Sequence, residues 1–341
     1  MPKPLTIALD ATPLAGPLGG IYRFTSQLLL SLRTEFPQDN YIPLSDQFAP
    51  TPKGLEKRWW LYGLNRAIRR TGSQVFHGTD FAVPYLSRCP SVMTVHDLSP
   101  WHEPSKASAR VRSRAGLLLR LGIPSFVHTP SEVIRQELIA RFGWPAERAI
   151  TIPHAAAPLF APSPNLNKEQ PYFLYLGAME PRKNLKVLAE AMQILSQHGF
   201  SCSLRLAGQC RPNYEIPIHP SIQYLGPQEE GQLPHLLSNA IAVLYPSTYE
   251  GFGLPILEAM QCGAPVITSD IPVLRETGGD AAFYANPADA SAWAHHMMQL
   301  LTNSELRVQH SVKSTERAAQ FSWAKTAKAF HQLYERCLSN T

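Results

Sequence analysis

Short apolar runs alternate with longer amphipathic stretches along the whole chain. This alternation is typical of parallel sheets whose strands are joined by crossover helices. The apolar runs predict strands at Leu5–Asp10, Gln74–His77, Ser91–Val95, Ser125–Thr129, Tyr172–Leu176, Ser203–Ala207, Ile222–Leu225, Ile241–Tyr245 and Pro265–Thr268. The amphipathic stretches predict helices from about Ile21 to Arg33, from a Ser131 N-cap to Phe142, from Leu185 to Gln197, from Pro255 to Gln261, and from Ser322 to the end. The pattern therefore predicts an α/β protein.

A Pro-rich passage, Ala155–Pro164, interrupts this alternation before it begins again at Tyr172. A chain of 341 residues also exceeds what one hydrophobic core usually supports. We therefore predict a first Rossmann-like domain over 1–157, a linker over 158–170 and a second Rossmann-like domain over 171–320. The remaining helix, 321–341, is predicted to cross back to the first domain.

The composition is that of an ordinary globular protein, with 44% hydrophobic and 17% charged residues. No apolar run approaches the ~18 residues of a membrane span. The N-terminus runs into the first strand without the apolar core of a signal peptide, so we expect a cytoplasmic protein. The five cysteines are scattered, which argues against a disulfide framework and a structural zinc site.

The net charge of +5 is concentrated in two segments. Their cations are Lys57, Arg58, Arg66, Arg69 and Arg70 beside Trp59 and Trp60, and Lys106, Arg110, Arg112, Arg114 and Arg120. No nucleic-acid motif accompanies them, so we expect no nucleic-acid partner. Solvated helix faces are the simpler interpretation, and peripheral contact with an anionic membrane surface or contact with a phosphate-bearing acceptor is the functional alternative.

The most informative segment, 241–268, combines a buried strand, a glycine-bearing loop, a short helix and a second strand. Gly251 and Gly253 allow the backbone to approach a ligand closely. Pro255 suits a first helical turn, where its missing N–H is not needed. Free N–H groups and the helix dipole make such a helix start an anion site, here at the carboxyl end of a parallel strand.

Two glutamates, Glu250 and Glu258, bracket this loop with seven residues between them. A glutamate near a helix start is by itself more often structural, because it offsets the helix dipole. With the glycine loop between the two, a functional interpretation is favoured. Glu250 can reach what the loop holds, and Glu258, one turn into the helix, can accept hydrogen bonds from a ribose diol.

This block resembles the Glu-x₇-Glu signature of the family 4 retaining glycosyltransferases. The resemblance covers nearly the whole chain and includes Gly19-Gly20-Ile21-Tyr22-Arg23-Phe24, Val95-His96-Asp97-Leu98, Glu180-Pro181-Arg182-Lys183-Asn184 and Phe321-Ser322-Trp323. It implies the GT-B fold, in which two Rossmann-like domains face each other across a cleft. It also implies a nucleotide-sugar donor as substrate and no resident cofactor.

The resemblance assigns roles to individual residues. Glu250 would contact hydroxyls of the donor sugar, and Glu258 would bind the nucleotide ribose. The other donor-binding positions would be the backbone amides of Phe252, Gly253 and Leu254, the Gly19-Gly20 turn facing the diphosphate and acceptor, and His96 beside the donor sugar. We interpret His77, His128 and His154, which also end or follow strands, as structural.

A leaving nucleoside diphosphate needs fixed cations or a metal ion. The chain has no Asp-x-Asp motif, whereas Arg182 and Lys183 follow the predicted strand Tyr172–Leu176. Charge-assisted contacts to phosphate contribute roughly 1.5–3 kcal/mol each. Lys183 matches the family lysine, but Ala178 stands where many members have an arginine, so Arg182 would supply the second cation. We therefore expect no metal requirement.

The Glu-Pro-Arg-Lys-Asn variant looks most like bacterial mannosyltransferases of surface-polysaccharide assembly. We therefore expect GDP-mannose as donor, with a UDP-hexose as the alternative, and a hydroxyl of a saccharide or lipid-linked acceptor. The product would keep the α configuration. A nucleotide-sugar 2-epimerase of the same fold and a non-catalytic binding protein remain open. A nicotinamide dehydrogenase is disfavoured, because no Gly-x-Gly-x-x-Gly fingerprint is present.

Overall fold

The computed structural model describes residues 4–16, 19–47, 58–102, 108–164 and 171–339. The chain divides into two compact units, Met1–His154 with Ser322–Thr341, and Ala155–Phe321. Each unit contains one six-stranded sheet in which every pair of neighbouring strands is parallel. The α/β class with two Rossmann-like units is therefore confirmed. The division falls after residue 154 rather than 157, and the last helix belongs to the first unit.

The sheet of the first unit has the strand order β2-β1-β3-β4-β5-β6. Its strands are β1 Thr6–Asp10, β2 Asn40–Leu44, β3 Val75–Gly78, β4 Ser91–Thr94, β5 Phe126–Thr129 and β6 Ala149–Thr151. Its helices are α1 Gly20–Glu35, α2 Leu64–Thr71, α3 Ser99–His102, α4 Ala109–Arg120, α5 Glu132–Phe142 and the last helix of the chain, α12 Trp323–Ser339. A π-helical turn, Trp59–Gly63, precedes α2.

Apolar spacing explains the packing of the first unit. Helix α1 buries Phe24, Leu28 and Leu32, which are four residues apart and therefore share one face. The ring of Phe24 lies 6.0 Å from that of Phe330 on α12. The predicted N-cap of α5 is confirmed, since the Ser131 side chain accepts a hydrogen bond from Ile134 N at 3.3 Å.

The sheet of the second unit has the strand order β12-β11-β10-β7-β8-β9. Its strands are β7 Tyr172–Leu176, β8 Ser203–Ala207, β9 Ile222–Gly226, β10 Ala242–Tyr245, β11 Val266–Ser269 and β12 Phe283–Ala285. Its helices are α6 Leu185–Gln197, α7 Leu233–Ser238, α8 Leu254–Gln261, α9 Pro272–Gly278, α10 Ala290–Thr302 and α11 Ser304–Ala318.

The stretch predicted as a linker, 158–170, is packed against the second unit over its described part, 158–164. Phe160 is fully buried. Gln261 Nε2 of α8 donates to the carbonyl oxygens of Ala157 at 3.1 Å and Phe160 at 2.6 Å. The Ser163 amide donates to Ser238 Oγ at 2.9 Å. Apolar burial and these hydrogen bonds hold in place a segment whose composition predicted a flexible linker. Residues 165–170 lie outside the described residues.

No helix in the described ranges combines the length and the apolar character that crossing a membrane requires.

Candidate active site

The strand order of the second unit changes direction between β7 and β10. From β7 the chain continues to β8 and β9 on one side, and β10 leads to β11 and β12 on the other. The carboxyl ends of strands at such a switch point are where open α/β sheets bind ligands. β7 leads into a short 3₁₀ helix, Pro181–Lys183, and β10 leads through the loop 246–253 into α8. The fold therefore brings Lys183 and Glu250 to this point.

Lys183 and Glu250 form a buried ion pair joined by a tyrosine. Their exposed fractions are 6% and 8%. Lys183 Nζ donates to Glu250 Oε1 and, at 2.6 Å, to the hydroxyl of Tyr245, the last residue of β10. That hydroxyl donates to the same Oε1 at 2.9 Å. The sequence analysis named the two charged residues but missed Tyr245, because a tyrosine ending a buried strand looks like an ordinary core residue.

Burial and charge act in opposite directions on the glutamate. Burial raises the pKa of Glu250, but the charges of Lys183 and Arg182 and the hydrogen bonds to the carboxylate outweigh it, so the net pKa is lowered. Glu250 is therefore a carboxylate at neutral pH. Burial lowers the pKa of Lys183. The charge of Glu250 acts in the opposite direction but does not outweigh burial.

Arg182 holds the two loops of the site together. Its Nη1 donates to the carbonyl oxygen of Tyr249 at 3.0 Å and lies 3.3 Å from Glu250 Oε1, while its Nη2 lies 2.7 Å from Glu180 Oε1. Its carbonyl oxygen accepts a hydrogen bond from Thr248 N at 2.9 Å. Two cations thus face two carboxylates, Glu180 and Glu250, so these four side chains carry no net charge when all are ionised. Glu180 is a second residue that the sequence analysis missed, since its pairing depends on the loop geometry.

The start of α8 supplies backbone donors beside this network. The N-cap of α8 is Gly253, which has no side chain to cap the first turn, and Pro255 is the second residue of the helix. Gly253 precedes the helix with φ of +95°, and a Cβ there would lie 2.7 Å from Leu274 Cδ2. The predicted glycine loop and helix start are therefore present in the backbone geometry, and the anion site at this helix start stays a prediction.

The remaining predicted positions of the second unit lie along this loop and helix. The carbonyl oxygen of Phe252 accepts a hydrogen bond from Thr277 Oγ1, and its ring packs edge-on against Phe321 at 5.9 Å. Leu254 begins α8. Glu258 lies one turn further on and is almost fully buried. Burial and, to a smaller extent, the charge of Glu258 raise the pKa of the neighbouring Cys262 thiol to about 12.

Gly19, Gly20 and His96 lie in the first unit. Gly19 is the N-cap of α1, and its carbonyl oxygen accepts a hydrogen bond from Arg23 N at 2.9 Å. His96 follows β4, and its Nε2 donates to the carbonyl oxygen of Thr79 at 2.8 Å. The His96 ring stands edge-on to Phe24 with centroids 5.0 Å apart. These residues occupy the carboxyl-end edge of the first sheet, as their place after strands predicts.

The other three strand-end histidines are structural, as interpreted from the sequence, and they are linked. His77 Nε2 and His128 Nδ1 bond the same hydroxyl, Thr94 Oγ1, at 2.8 and 3.0 Å. His154 stacks on Phe24 at 4.5 Å. Burial lowers the pKa of all three rings, that of His128 to about 3. The sequence did not show that they form one buried group.

Comparison with known proteins agrees with this geometry. The family model for glycosyl transferases group 1 matches residues 158–317, and the model for glycosyltransferase family 4 matches residues 28–157. O-antigen chain mannosyltransferase B of Escherichia coli is 35% identical over 284 residues, which are 75% of this chain and 73% of that protein. The chain belongs to the family 4 glycosyltransferases.

Solved glycosyltransferases share the fold of this enzyme. Sucrose-phosphate synthase from Thermosynechococcus elongatus superimposes with a TM-score of 0.79 at 21% identity, over 99% of this chain and 100% of that one. Anabaena HepE, solved in complex with UDP-glucose, gives a TM-score of 0.74 at 18% identity, over 97% and 99% of the two chains. The predicted GT-B class of this glycosyltransferase is thereby confirmed.

Proposed function

We propose that this glycosyltransferase moves mannose from GDP-mannose to a hydroxyl of a saccharide or lipid-linked acceptor, forming an α-glycosidic bond in polysaccharide synthesis. The relative named as an O-antigen chain mannosyltransferase supports the sugar and the process. The observation that carries the proposal is the Lys183–Tyr245–Glu250 network, next to the uncapped start of α8 at the switch point.

Different residues of the second unit bind different parts of the donor. The backbone amides at Phe252, Gly253 and Leu254 donate to the diphosphate and the sugar, assisted by the dipole of α8. Glu258 accepts hydrogen bonds from the ribose diol. Glu250, held as a carboxylate by Lys183, accepts from a sugar hydroxyl, and Lys183 shares its charge with the diphosphate as the glycosidic bond breaks.

Retention follows from a front-face displacement in this proposal. The acceptor hydroxyl attacks the anomeric carbon on the side that the diphosphate leaves, and a diphosphate oxygen takes the hydroxyl proton. Orientation and charge stabilisation are then the contributions of the protein. Arg182, Lys183 and the α8 amides stabilise the leaving diphosphate, and Glu250 positions the sugar.

The same residues lead us to propose that the reaction needs no metal ion. The sequence lacks an Asp-x-Asp motif, and two cations lie at the switch point instead. Their pairing with Glu180 and Glu250 keeps them in fixed positions before the donor arrives. Preorganised charge of this kind costs no rearrangement when charge develops in the transition state.

The donor is tested with the purified protein and a panel of GDP-mannose, UDP-glucose and their parent nucleotides. Donor binding raises the apparent melting temperature by mass action, so GDP-mannose is expected to give the largest shift. Glu258→Gln should weaken nucleotide binding by roughly 10-fold or more through the loss of charge-assisted hydrogen bonds. The exposed Glu229→Gln is the matched control. A larger shift with UDP-glucose would indicate a UDP-hexose donor instead of GDP-mannose. Conversion of the donor to its epimer in the absence of an acceptor would indicate an epimerase instead of a transferase.

The mechanism is tested by turnover in excess chelator, followed by NMR of the anomeric signal of the product. We expect full activity in chelator and an α-linked product from the α-linked donor. A β-linked product would contradict retention. Activity lost in chelator and restored by magnesium or manganese would contradict metal independence.

A further inference from the structure

Three aspartates follow neighbouring strands of the first sheet. Asp10 ends β1, Asp80 comes shortly after β3, and Asp97 comes shortly after β4. The strand order β2-β1-β3-β4 changes direction between β1 and β3. Asp10 and Asp80 therefore flank the switch point of the first unit, the place in an open α/β sheet where ligands bind.

Two of these carboxylates have a clear role inside the fold. Asp97 Oδ1 accepts hydrogen bonds from Ser99 N at 2.9 Å and Ser99 Oγ at 2.7 Å, at the start of α3. Asp10 Oδ1 accepts from Thr12 N at 3.0 Å and fixes the turn after β1. Asp80 differs, because its Oδ1 is enclosed and has no hydrogen-bond partner among the residues that the structure describes. A buried polar atom left unsatisfied destabilises the fold, so its retention points to a ligand.

The chain around Asp80 is fixed on both sides. Thr79 Oγ1 donates to the carbonyl oxygen of Asp10 at 2.8 Å, and the Phe81 amide donates to the carbonyl oxygen of Thr94 at 3.0 Å. Phe81 has φ of +51°, a left-handed conformation that is strained for a bulky residue. Strain of this kind persists where the surrounding structure enforces it, often at binding sites. The turn thus holds the Asp80 carboxylate at the edge of the sheet.

Arg114 of α4 lies near these carboxylates but pairs with neither. Its guanidinium stacks 4.7 Å from the ring centroid of Trp60, and its Nε is buried without a hydrogen-bond partner within the described ranges. The charges of Asp80 and Asp10 nevertheless act on it. Trp60 and Tyr85 are partly exposed beside it, and the Tyr85 amide donates to the carbonyl oxygen of Trp60 at 3.2 Å. An unpaired acceptor, an unpaired donor and aromatic walls are the groups that orient a hydroxyl-rich ligand.

The charge balance indicates an uncharged ligand. Two carboxyl groups, Asp10 and Asp80, lie near one guanidinium, so the three groups carry a net charge of −1 when all are ionised and would repel a phosphate. Burial raises the pKa of Asp10 to about 6 and raises that of Asp80.

We propose that Asp80 and Arg114 bind the terminal sugar of an uncharged saccharide acceptor at the switch point of the first sheet, with Asp80 accepting from its hydroxyls and Arg114 donating to its oxygens. This inference rests on the proposed function, because it names the acceptor of that reaction.

The test compares methyl α-D-mannoside with mannose 6-phosphate, using saturation-transfer difference NMR on the full chain. The parent protein is expected to bind the neutral glycoside, and Asp80→Asn and Arg114→Met to weaken it roughly 10- to 100-fold. Glu147→Gln, exposed in the same unit, is the control and should bind as the parent does. Asp80→Asn should not lower the melting temperature, because it removes a buried carboxylate that the fold does not pair.

Three results would overturn the inference. They are no glycoside binding by the parent up to the solubility limit, equal binding by Asp80→Asn and the parent, and tighter Asp80-dependent binding of mannose 6-phosphate. GDP binding, measured by calorimetry on the same samples, separates this test from the donor. A protein that binds the glycoside through Asp80 but no GDP would refute the proposed donor and leave the acceptor site standing.

Discussion

Lys183 and Glu250 are individually costly to bury, and each is tolerated because the other is present. Removing one partner of a buried ion pair leaves an uncompensated charge and typically costs about 3–5 kcal/mol. We predict this loss for Glu250→Gln, because Lys183 would keep neutral partners, among them the Tyr245 hydroxyl and the Tyr245 ring 4.8 Å from Nζ, but would lose the carboxylate charge that faces it. Urea unfolding measures the loss.

The double variant Lys183→Met with Glu250→Gln separates stability from function. It should regain most of the stability lost in the single variant, because no unpaired charge stays buried, yet transfer activity should remain absent. With Lys183→Met as the second single variant, a double-variant loss equal to the sum of the two single losses would show that the pair is not energetically coupled.

Both the backbone conformation and the space available at position 253 favour a glycine there. At φ of +95° a side chain is strained, and a Cβ would press on Leu274 Cδ2 at 2.7 Å. Gly253→Ala is therefore predicted to cost more than about 1 kcal/mol of stability and to weaken GDP binding, since the loop before α8 must shift. Calorimetry checks both. Gly231→Ala is the control, because a Cβ there meets nothing within 4 Å, and an equal loss in the two variants would contradict the argument.

Residues of the donor site differ in how far the sequence could reveal them. Glu250, Glu258 and Gly253 stand in one short segment whose order alone indicates a loop and a helix start. Tyr245 acts through Lys183, which is 62 positions away, and Glu180 pairs with Arg182, two residues further on, through the geometry of their loop. No local pattern distinguishes them from a core tyrosine and a loop glutamate.

Among elements, the strands inside each sheet were predictable, and so was the edge strand β9, predicted over Ile222–Leu225, but the other three edge strands were missed. β7 and β8 have the predicted bounds. β7 is buried throughout and is a continuous apolar run, whereas β8 buries Leu204, Leu206 and Ala207 around the half-buried Arg205. The missed strands, β2, β6 and β12, all lie at sheet edges. β2 is half-exposed and contains Pro43, and β6 and β12 have only three residues each. An edge strand needs little apolar surface, so its sequence carries little signal.

The carboxyl ends of β3 and β5 and the chain after β6 place His77, His128 and His154 in one buried group. Their folded-state pKa values lie below the unfolded value of about 6.5, so the unfolded chain binds more protons as the pH falls. The stability that these rings contribute is fully present above pH ~6.5 and is lost as the pH falls toward their folded values.

We therefore predict that the first unit loses stability on the order of 2 kcal/mol between pH 7.5 and pH 6, with just under about 1 kcal/mol from each ring. Below pH 6, protonation of Asp10 acts in the opposite sense, because burial raises its pKa to about 6. Urea unfolding followed by tryptophan fluorescence measures the change, and the exposed His198→Gln variant should show the same pH dependence. A free energy of unfolding that does not change over this range would contradict the prediction.

At the scale of the whole molecule, the last helix closes the first unit rather than the second. The Tyr334 hydroxyl on α12 is 2.8 Å from His77 Nδ1, and Thr326 Oγ1 donates to the carbonyl oxygen of Pro153 at 2.8 Å. The residues of each pair are far apart in sequence, so the first unit cannot finish folding until α12 has been synthesised.

The surface of the first unit carries cations beside exposed apolar side chains. Arg66, Arg69 and Arg70 are exposed on α2. On and just after α4, Arg110 and Arg120 are exposed with Leu117 and Leu121, whose exposed fractions are 47% and 63%. Lys57 and Lys106, which the sequence analysis grouped with them, lie outside the described residues. Basic and apolar groups together suit an anionic lipid surface, where each cation near the surface contributes about 1 kcal/mol.

We predict that the protein sediments with vesicles containing phosphatidylserine at low salt and is released as salt rises, because screening weakens surface electrostatics. Reversing Arg69 and Arg70 to Glu should abolish binding at low salt. Reversing Lys186 and Lys313, which are exposed on α6 and α11, changes the net charge equally and should leave more of the binding intact. Equal losses in the two double variants would show that only net charge matters. Failure of the parent protein to sediment at low salt would contradict the prediction, because attraction between exposed charges is strongest at low salt.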